Sequence, residues 1–536
     1  MSSTAPPIQL TDDERLLHRL GYKQELFRAM SAFRNFAISF TIISILAGCL
    51  TSYVFAYQDG GPVAVTWGWL IVGLFTIFVA FSMAEIASTY PTAGGLYYWS
   101  SKLGSPGWGW FTGWFNLIGL IGIIGAVGYG LATFATALFN LWWAYPNDRH
   151  HIFYLFVAFL VAAALLNVWD VRITSLINGI SAYWHVIGVL IIVCVMIFVP
   201  SHHQSAGYVF GQTLNNSGFS GTGWNSGIFW LVFALGAIGM AQYTLTGYDA
   251  SAHMSEETHR ASRGAATGMV WSVVISVIAG FVLLVAVTFA IPDTQGALDA
   301  GAGVVTYIWQ TSTSTHWAEF LLFIIVVAQF YCLTACVTSG SRMVFAFSRD
   351  RAVPGHQLWR KVSRHRVPVW SVFGVSLAGF LLLVPTYWNS AAGYYVGTSV
   401  GTTGLYIAFI LPVILRYRQK ESFETGAWTL GRNYRWVNLV AIAWVAFISI
   451  IFMLPTVSGG VPWNAGFDWN LANYSPLTIG GAFILFGGWW VLSANKWFKG
   501  PVRMGTDEEL AAIEAKEEEE FLLPADTEFG SAPEGT

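Results

Sequence analysis

The sequence predicts an all-α polytopic membrane protein with twelve transmembrane helices. Three observations carry this expectation. The 536 residues are 55% hydrophobic and only 10% charged, whereas a soluble chain carries about 25% charge. Twelve apolar runs are each long enough to cross about 30 Å of hydrocarbon. Lys and Arg also alternate between loops as the positive-inside rule requires. With the N-terminus in the cytoplasm, only Arg149 of the 26 basic residues falls on the outer side. A missed or extra span would scramble that alternation, so the bias also checks the count and places both termini in the cytoplasm.

Taken in order, residues 1–33 form a polar N-terminal segment with no cleavable signal peptide. Within it Thr11-Asp12-Asp13-Glu14 is a capping-box pattern ahead of Leu16, Leu17 and Leu20. Gly21 should stop that short helix, which is expected on the inner membrane face, with a gate latch as the alternative. The apolar runs then fall at 34–57, 63–88, 109–140, 152–169, 176–200, 227–251, 265–291, 317–347, 368–386, 394–416, 436–455 and 477–497. Residues 507–534 hold 11 of the 29 carboxylates, so the net charge of -3 hides a basic body. That stretch reads as a solvated acidic tail.

The sixth run is the most informative. Ile228 to Gly239 reads as a membrane helix, and then Gln242-Tyr243-Thr244-Leu245-Thr246-Gly247-Tyr248-Asp249-Ala250-Ser251 interrupts it with hydroxyls, a glycine and an acid. A backbone break at membrane depth is tolerated only where it is buried in protein or lines a cavity. Discontinuous helices are the usual substrate sites of secondary transporters. The first run carries a milder interruption at Ser44-Ile45-Leu46-Ala47-Gly48, where small residues permit close packing or local unwinding. If two five-helix halves repeat with inverted topology, spans 1 and 6 correspond. The predicted organisation is therefore a ten-span core at 34–416, two additional helices at 417–497 and a cytoplasmic tail at 498–536.

Five segments resemble one family. Tyr248 to Thr258 (YDASAHMSEET) resembles the sixth-helix signature of the amino acid/choline transporters within the amino acid–polyamine–organocation superfamily. Leu20 to Leu26, Ala84 to Trp99, Tyr183 to Gly188 and Ser341 to Asp350 are similar to further segments of that family, so the likeness runs from about residue 20 to 420. The resemblance implies a five-plus-five inverted-repeat (LeuT-like) core with discontinuous helices 1 and 6. It also implies a permease for amino acids, 4-aminobutyrate, choline or polyamines.

Candidate site residues follow. Unwound N–H groups at Ser44, Ile45, Leu46, Ala47 and Gly48 would favour a substrate carboxylate. Carbonyls and hydroxyls at Thr246, Gly247 and Tyr248 would accept an ammonium, and the Tyr248 ring adds a cation–π face. Asp249 pairs with a cationic amine or anchors the broken helix. Glu256 and Glu257, near Arg260 and Arg263, are read as an inner gate or ion-pair network, with Arg342 and Arg349 as partners and Glu85 in the same cluster. His185 stands early in the fifth span, where proton-coupled relatives can carry a lysine. Histidine titrates near neutral pH, so it is the proton-coupling candidate, with a hydrogen-bonded structural role as the alternative. A sodium site would want hydroxyls such as Thr338 and Ser339 beside span 1.

Other features carry less. Cys49, Cys194, Cys332 and Cys336 lie in apolar runs and read as small core residues. Pro91 with Gly94-Gly95 reads as a reentrant or tight loop. His202-His203 is an incidental pair rather than a metal site. Asn215 and Asn473 head acceptor sequons. No Walker loop or zincin spacing is present, so neither an enzyme nor an ATP-driven pump is expected, and no cofactor or nucleic-acid partner. The expected protein is a plasma-membrane, alternating-access amino acid permease coupled to H+. A choline or polyamine transporter is the alternative, and a non-transporting nutrient sensor is the alternative of another class.

Overall fold

A computed structural model describes residues 10–169, 171–506, 508–510 and 512. Most of the acidic tail lies outside the described residues. Twelve helices are long and apolar enough to cross a membrane: Ala32–Thr51, Pro62–Thr89, Pro106–Trp143, Arg149–Trp169, Ile173–Phe198, Gly227–Thr244, Ala261–Phe289, Thr315–Arg349, Val369–Tyr387, Gly393–Ser422, Gly431–Ile451 and Ser475–Trp497. They are spans 1 to 12 below. Each coincides with a predicted run. An even number of crossings puts both ends of the chain on one side, called here the terminal face.

Burial sorts the spans into layers. Of the most apolar stretch of each, 83% is buried in spans 1 and 10 and 78% in span 3, against 28% in span 4 and 22% in span 12. Span 3 packs along spans 8 and 10, and span 7 along spans 1 and 2. Spans 11 and 12 lean on this bundle from outside, against spans 2, 3 and 10. Small residues make these approaches possible. A Cβ at Gly122 of span 3 would fall 2.6 Å from the Gly401 backbone of span 10.

Two of the central helices are broken. Span 1 stops at Ile43, turns through Ser44 in the left-handed region (φ 39°) and resumes at Ile45. The break is narrower than the sequence suggested: Ile45 to Gly48 are helical rather than unwound. Span 6 stops at Thr244, not at residue 251, and a short turn Ala250–His253 follows the non-helical Leu245 to Asp249. Gly247 takes φ +100° there, and a Cβ would stand 2.1 Å from Ile42 Cγ2. Only glycine fits both the torsion and the space.

At the N-terminus the capping box forms: Thr11 Oγ1 accepts from the Glu14 N–H, and Glu14 reaches back to the Thr11 N–H. Gly21 ends that helix in the left-handed conformation. The segment that follows lies against span 6, with Met30 bridging Thr258. All four cysteines are free, and Cys194 is exposed rather than core because it faces outward from span 5. Both sequon asparagines spend their amide N–H groups on backbone carbonyls. Asn215 donates to Phe219 and Gly221, and Asn473 to Phe452 and Leu454. Among the described residues no cluster of His, Cys, Asp and Glu could hold a metal ion.

Candidate functional site between the two broken helices

The two breaks face each other across a small central cavity. Its volume is about 20 Å³, enough for about one water. Span 1 lines it with Ile42, Ile43, Ala47, Gly48 and Thr51, and span 6 with Tyr243, Thr244 and Thr246. Span 3 adds Ile123, Ala126, Val127 and Gly130, and span 8 adds Gln329 and Cys332. Gly48 allows the helices to meet, because a Cβ there would lie 2.6 Å from Thr244 Cγ2.

The polar groups at this cavity are sparse and specific. Where span 1 resumes, Ala47 and Gly48 N–H bond back to the Ser44 carbonyl. The N–H groups of Ile45 and Leu46 have no acceptor among the described residues. They sit at the positive end of a half-helix, a geometry that favours a carboxylate. Across the cavity, both amide atoms of Gln329 are buried without a hydrogen-bond partner. A buried amide left unpaired costs about 1–3 kcal/mol, which a ligand's polar groups would recover. The sequence reading missed Gln329, since a lone glutamine in an apolar run gives no signal of where it points.

Of the predicted binding residues, Ala47, Gly48 and Thr246 line the cavity. Ser44, Ile45 and Leu46 form the break behind it. Gly247, Tyr248 and Asp249 turn away from it. Tyr248 is fully buried with its ring 5.2 Å from Phe409, and its carbonyl accepts from Ser39 Oγ (2.9 Å). Asp249 faces His253 (3.3 Å) and Asn116 (3.3 Å), so it does not meet a ligand in the cavity. The break of span 6 is held instead by Tyr406 of span 10, which donates to the Leu245 carbonyl (2.8 Å).

His185 of span 5 reaches the other break. Its Nδ1 lies 2.8 Å from the Ser181 carbonyl and its Nε2 2.7 Å from Ser44 Oγ. A carbonyl only accepts, so Nδ1 donates, and a neutral ring then takes the Ser44 hydroxyl proton at Nε2. Thr338 is turned toward span 4, donating to Asn167 Oδ1 (2.6 Å). The carbonyl of Ile42 at the span 1 break is met by the Cys332 thiol (3.3 Å). The Ser339 hydroxyl is buried with no hydrogen-bond partner among the described residues.

Toward the terminal face stand two buried, two-pronged ion pairs. Arg342 grips Glu257 (2.7 and 3.4 Å) and Arg349 grips Glu256 (3.0 and 2.9 Å). These arginines of span 8, rather than Arg260 and Arg263, are the partners. Glu85 does not join them. Its carboxylate pairs with Arg416 at the end of span 10 (2.9 Å) and accepts from Thr429 and the Leu430 N–H. The Tyr22 ring lies under Arg349, 3.7 Å from the guanidinium carbon.

A family model described as amino acid permease matches residues 30–483. The chain belongs to the amino acid permease family. It is 36% identical over 508 residues to the amino-acid permease BAT1 homolog of Oryza sativa subsp. japonica, covering 91% of this chain and 95% of that protein. It is 35% identical to amino-acid permease BAT1 of Arabidopsis thaliana, with coverage of 91% and 95%. The GABA-specific permease of Saccharomyces cerevisiae is 26% identical, over 93% of this chain and 87% of its own length. This permease is thus a transporter of small molecules and not an enzyme.

Beyond these ion pairs, Asp350 is buried just past span 8. Tyr22 donates to its Oδ2 (2.7 Å), the Tyr97 hydroxyl meets the same oxygen, and the Val502 N–H donates to Oδ1 (2.8 Å). It joins the N-terminal segment, the segment after span 2 and the start of the C-terminal segment. Burial pushes its carboxyl up from 3.8 to about 7, against the pull of the Val502 and Tyr22 donors.

Two predictions follow from this terminal face. Arg349→Ala leaves Glu256 charged and buried, and should destabilise the solubilised permease by about 3–5 kcal/mol. The double variant Glu256→Gln/Arg349→Met should recover most of that loss in thermal unfolding. Separately, the raised Asp350 value means the folded chain holds a proton that the unfolded chain releases. Its stability contribution is complete below about pH 4 and fades as pH rises through about 7. Asp350→Asn should flatten that part of the melting-temperature profile.

Proposed function

We propose that this permease moves a zwitterionic amino acid by alternating access, binding it between the breaks of spans 1 and 6, where the one-water cavity widens to admit it. The observation that carries this reading is the pairing of unsatisfied groups around one small cavity. The Ile45 and Leu46 N–H groups are placed for a carboxylate, and the Gln329 amide is free for either end of a zwitterion. Ile42, Ile43, Ile123 and Val127 supply an apolar part of the wall, which suits a neutral side chain. The name of the yeast relative makes 4-aminobutyrate one member of the panel to test. Choline and polyamines are less well served, because Asp249 is engaged with His253 and no carboxylate lines the cavity.

The terminal face is the cytoplasmic one in this reading, on the strength of the Lys and Arg distribution, and the plasma membrane is the proposed location. Spans 1–10 form the moving core, with spans 11 and 12 as an appendage. Glu256–Arg349 and Glu257–Arg342 act as the inner gate. Transport is coupled to H+, and His185 is the side chain through which proton and substrate sense each other. A proton on Nε2 would reverse its hydrogen bond with Ser44, the residue that shapes the carboxylate-binding end of span 1.

Uptake into proteoliposomes tests the reading. A panel of labelled 4-aminobutyrate, neutral and basic amino acids, choline and putrescine should show accumulation of a zwitterion that collapses with the inward proton gradient. Carboxylate analogues should compete. Uptake of choline or putrescine alone would sink the carboxylate site, and binding without flux would point to a sensor. His185→Gln should abolish the gradient-driven part; full retention removes His185 from coupling. Gln329→Leu should leave stability unchanged or improved, since it removes an unpaired amide, yet weaken substrate binding about tenfold.

A further inference from the structure

A second buried acid–base pair stands on the terminal side of the span 6 break. Asp249 and His253 are both fully buried, with His253 Nε2 3.3 Å from Asp249 Oδ2. His253 Nδ1 lies 3.0 Å from the carbonyl of Ala93 in the loop after span 2. Because a carbonyl accepts only, that nitrogen carries a hydrogen. The other nitrogen of a neutral ring then carries a lone pair 3.3 Å from Asp249 Oδ2, outside hydrogen-bond alignment. Neither His253 Nε2 nor Asp249 Oδ1 has a hydrogen-bond partner among the described residues. The one donor to the carboxylate is the Asn116 amide of span 3, at 3.3 Å.

No other charge compensates. On span 8, Arg342 and Arg349 are each taken by Glu257 and Glu256, and Cys336 is the titratable neighbour of Asp249 on that span. From span 10 comes the Tyr406 hydroxyl, spent on the Leu245 carbonyl. Span 1 contributes neutral Asn35 and Ser39, bonded to the Ser251 and Tyr248 carbonyls. On its own element the pair is flanked by the Tyr248 phenol and by Glu256. A buried carboxylate facing a lone pair, with one long hydrogen bond, is costly. One added proton removes the conflict, giving either an imidazolium–carboxylate pair or a neutral acid bonded to the ring.

We propose that Asp249 and His253 together hold one proton while the terminal face is closed, and release it when that face opens. The link to opening is the Ala93 peptide. Its carbonyl is held by His253, and its N–H donates to Glu256 (2.9 Å), the same carboxylate that Arg349 grips. Parting the gate therefore frees His253 from its carbonyl and admits water to the pair. The proton then passes from the pair to water on the terminal side, leaving a neutral imidazole and a hydrated carboxylate. The site is separate from His185, whose two nitrogens are both satisfied in the neutral form. This inference rests on the proton-coupled reading only for its role in transport, not for the proton itself.

Three variants of the full chain test it. His253→Asn keeps a donor where Nδ1 stands and removes Nε2. His253→Gln places a permanent donor where Nε2 stands, and Asp249→Asn removes the acid. In proteoliposomes each should retain substrate exchange at equal concentrations, which also shows that it folds. Each should lose accumulation, bringing the internal concentration only to the external one. Continued gradient-driven accumulation by His253→Asn and Asp249→Asn overturns the proposal. Infrared difference spectra of the solubilised protein across pH supply a readout without transport. In an Asp350→Asn background, which removes the carboxyl that titrates near 7, carboxyl and imidazole bands should titrate together as one proton, and both should vanish in Asp249→Asn but persist in His185→Gln. Independent titration, or bands unaffected by Asp249→Asn, overturns the proposal. If the wild type accumulates nothing yet shows the joint titration, the proton site stands and the proton-coupled reading fails.

Discussion

Everything at the centre of this molecule depends on one constraint: a helix cannot be broken in hydrocarbon unless its freed backbone groups find partners. Spans 1 and 6 are both broken, and span 1 supplies much of the repair of span 6. Ser39 donates to the Tyr248 carbonyl, and Asn35 to the Ser251 carbonyl. Tyr406 takes the Leu245 carbonyl from the side of span 10. What is left unsatisfied is the Gln329 amide at the cavity and the Ile45 and Leu46 N–H groups in the break behind it. The binding chemistry is therefore what remains after the repair of the two breaks.

The same economy governs the terminal side. Four acids follow one another across the turn of span 6 and the end of span 8: Asp249, Glu256, Glu257 and Asp350. Two of them take an arginine each. Asp350 takes hydroxyls and a backbone N–H. Asp249 has only a histidine and one amide. A buried charge is tolerated in proportion to its compensation, and Asp249 has the least of the four. His253 and Glu256 share the Ala93 peptide, one through its carbonyl and the other through its N–H.

Much of this was legible in the residues. Hydropathy and the basic-residue bias gave all twelve spans, because lipid and topology impose their rules locally along the chain. The Gln242–Ser251 interruption marked the break in span 6, and the capping box marked the first helix. Placement was less legible. Glu85 reads from sequence like Glu256 and Glu257, yet its partner Arg416 lies 331 residues away. Gln329 looks like any polar residue inside an apolar run. His253 sits in the quoted signature, but nothing in the string says that its ring turns back onto Asp249.

The sequence by itself determined the class of protein, the number and limits of its spans and the location of both weak points in the helices. Those properties follow from transfer free energies and backbone torsions, which act over a few neighbouring residues. The tertiary structure decided which carboxylate meets which cation and which side chains reach the cavity. These depend on distances of about 3 Å between residues far apart in the chain, and such distances exist only once the helices have packed.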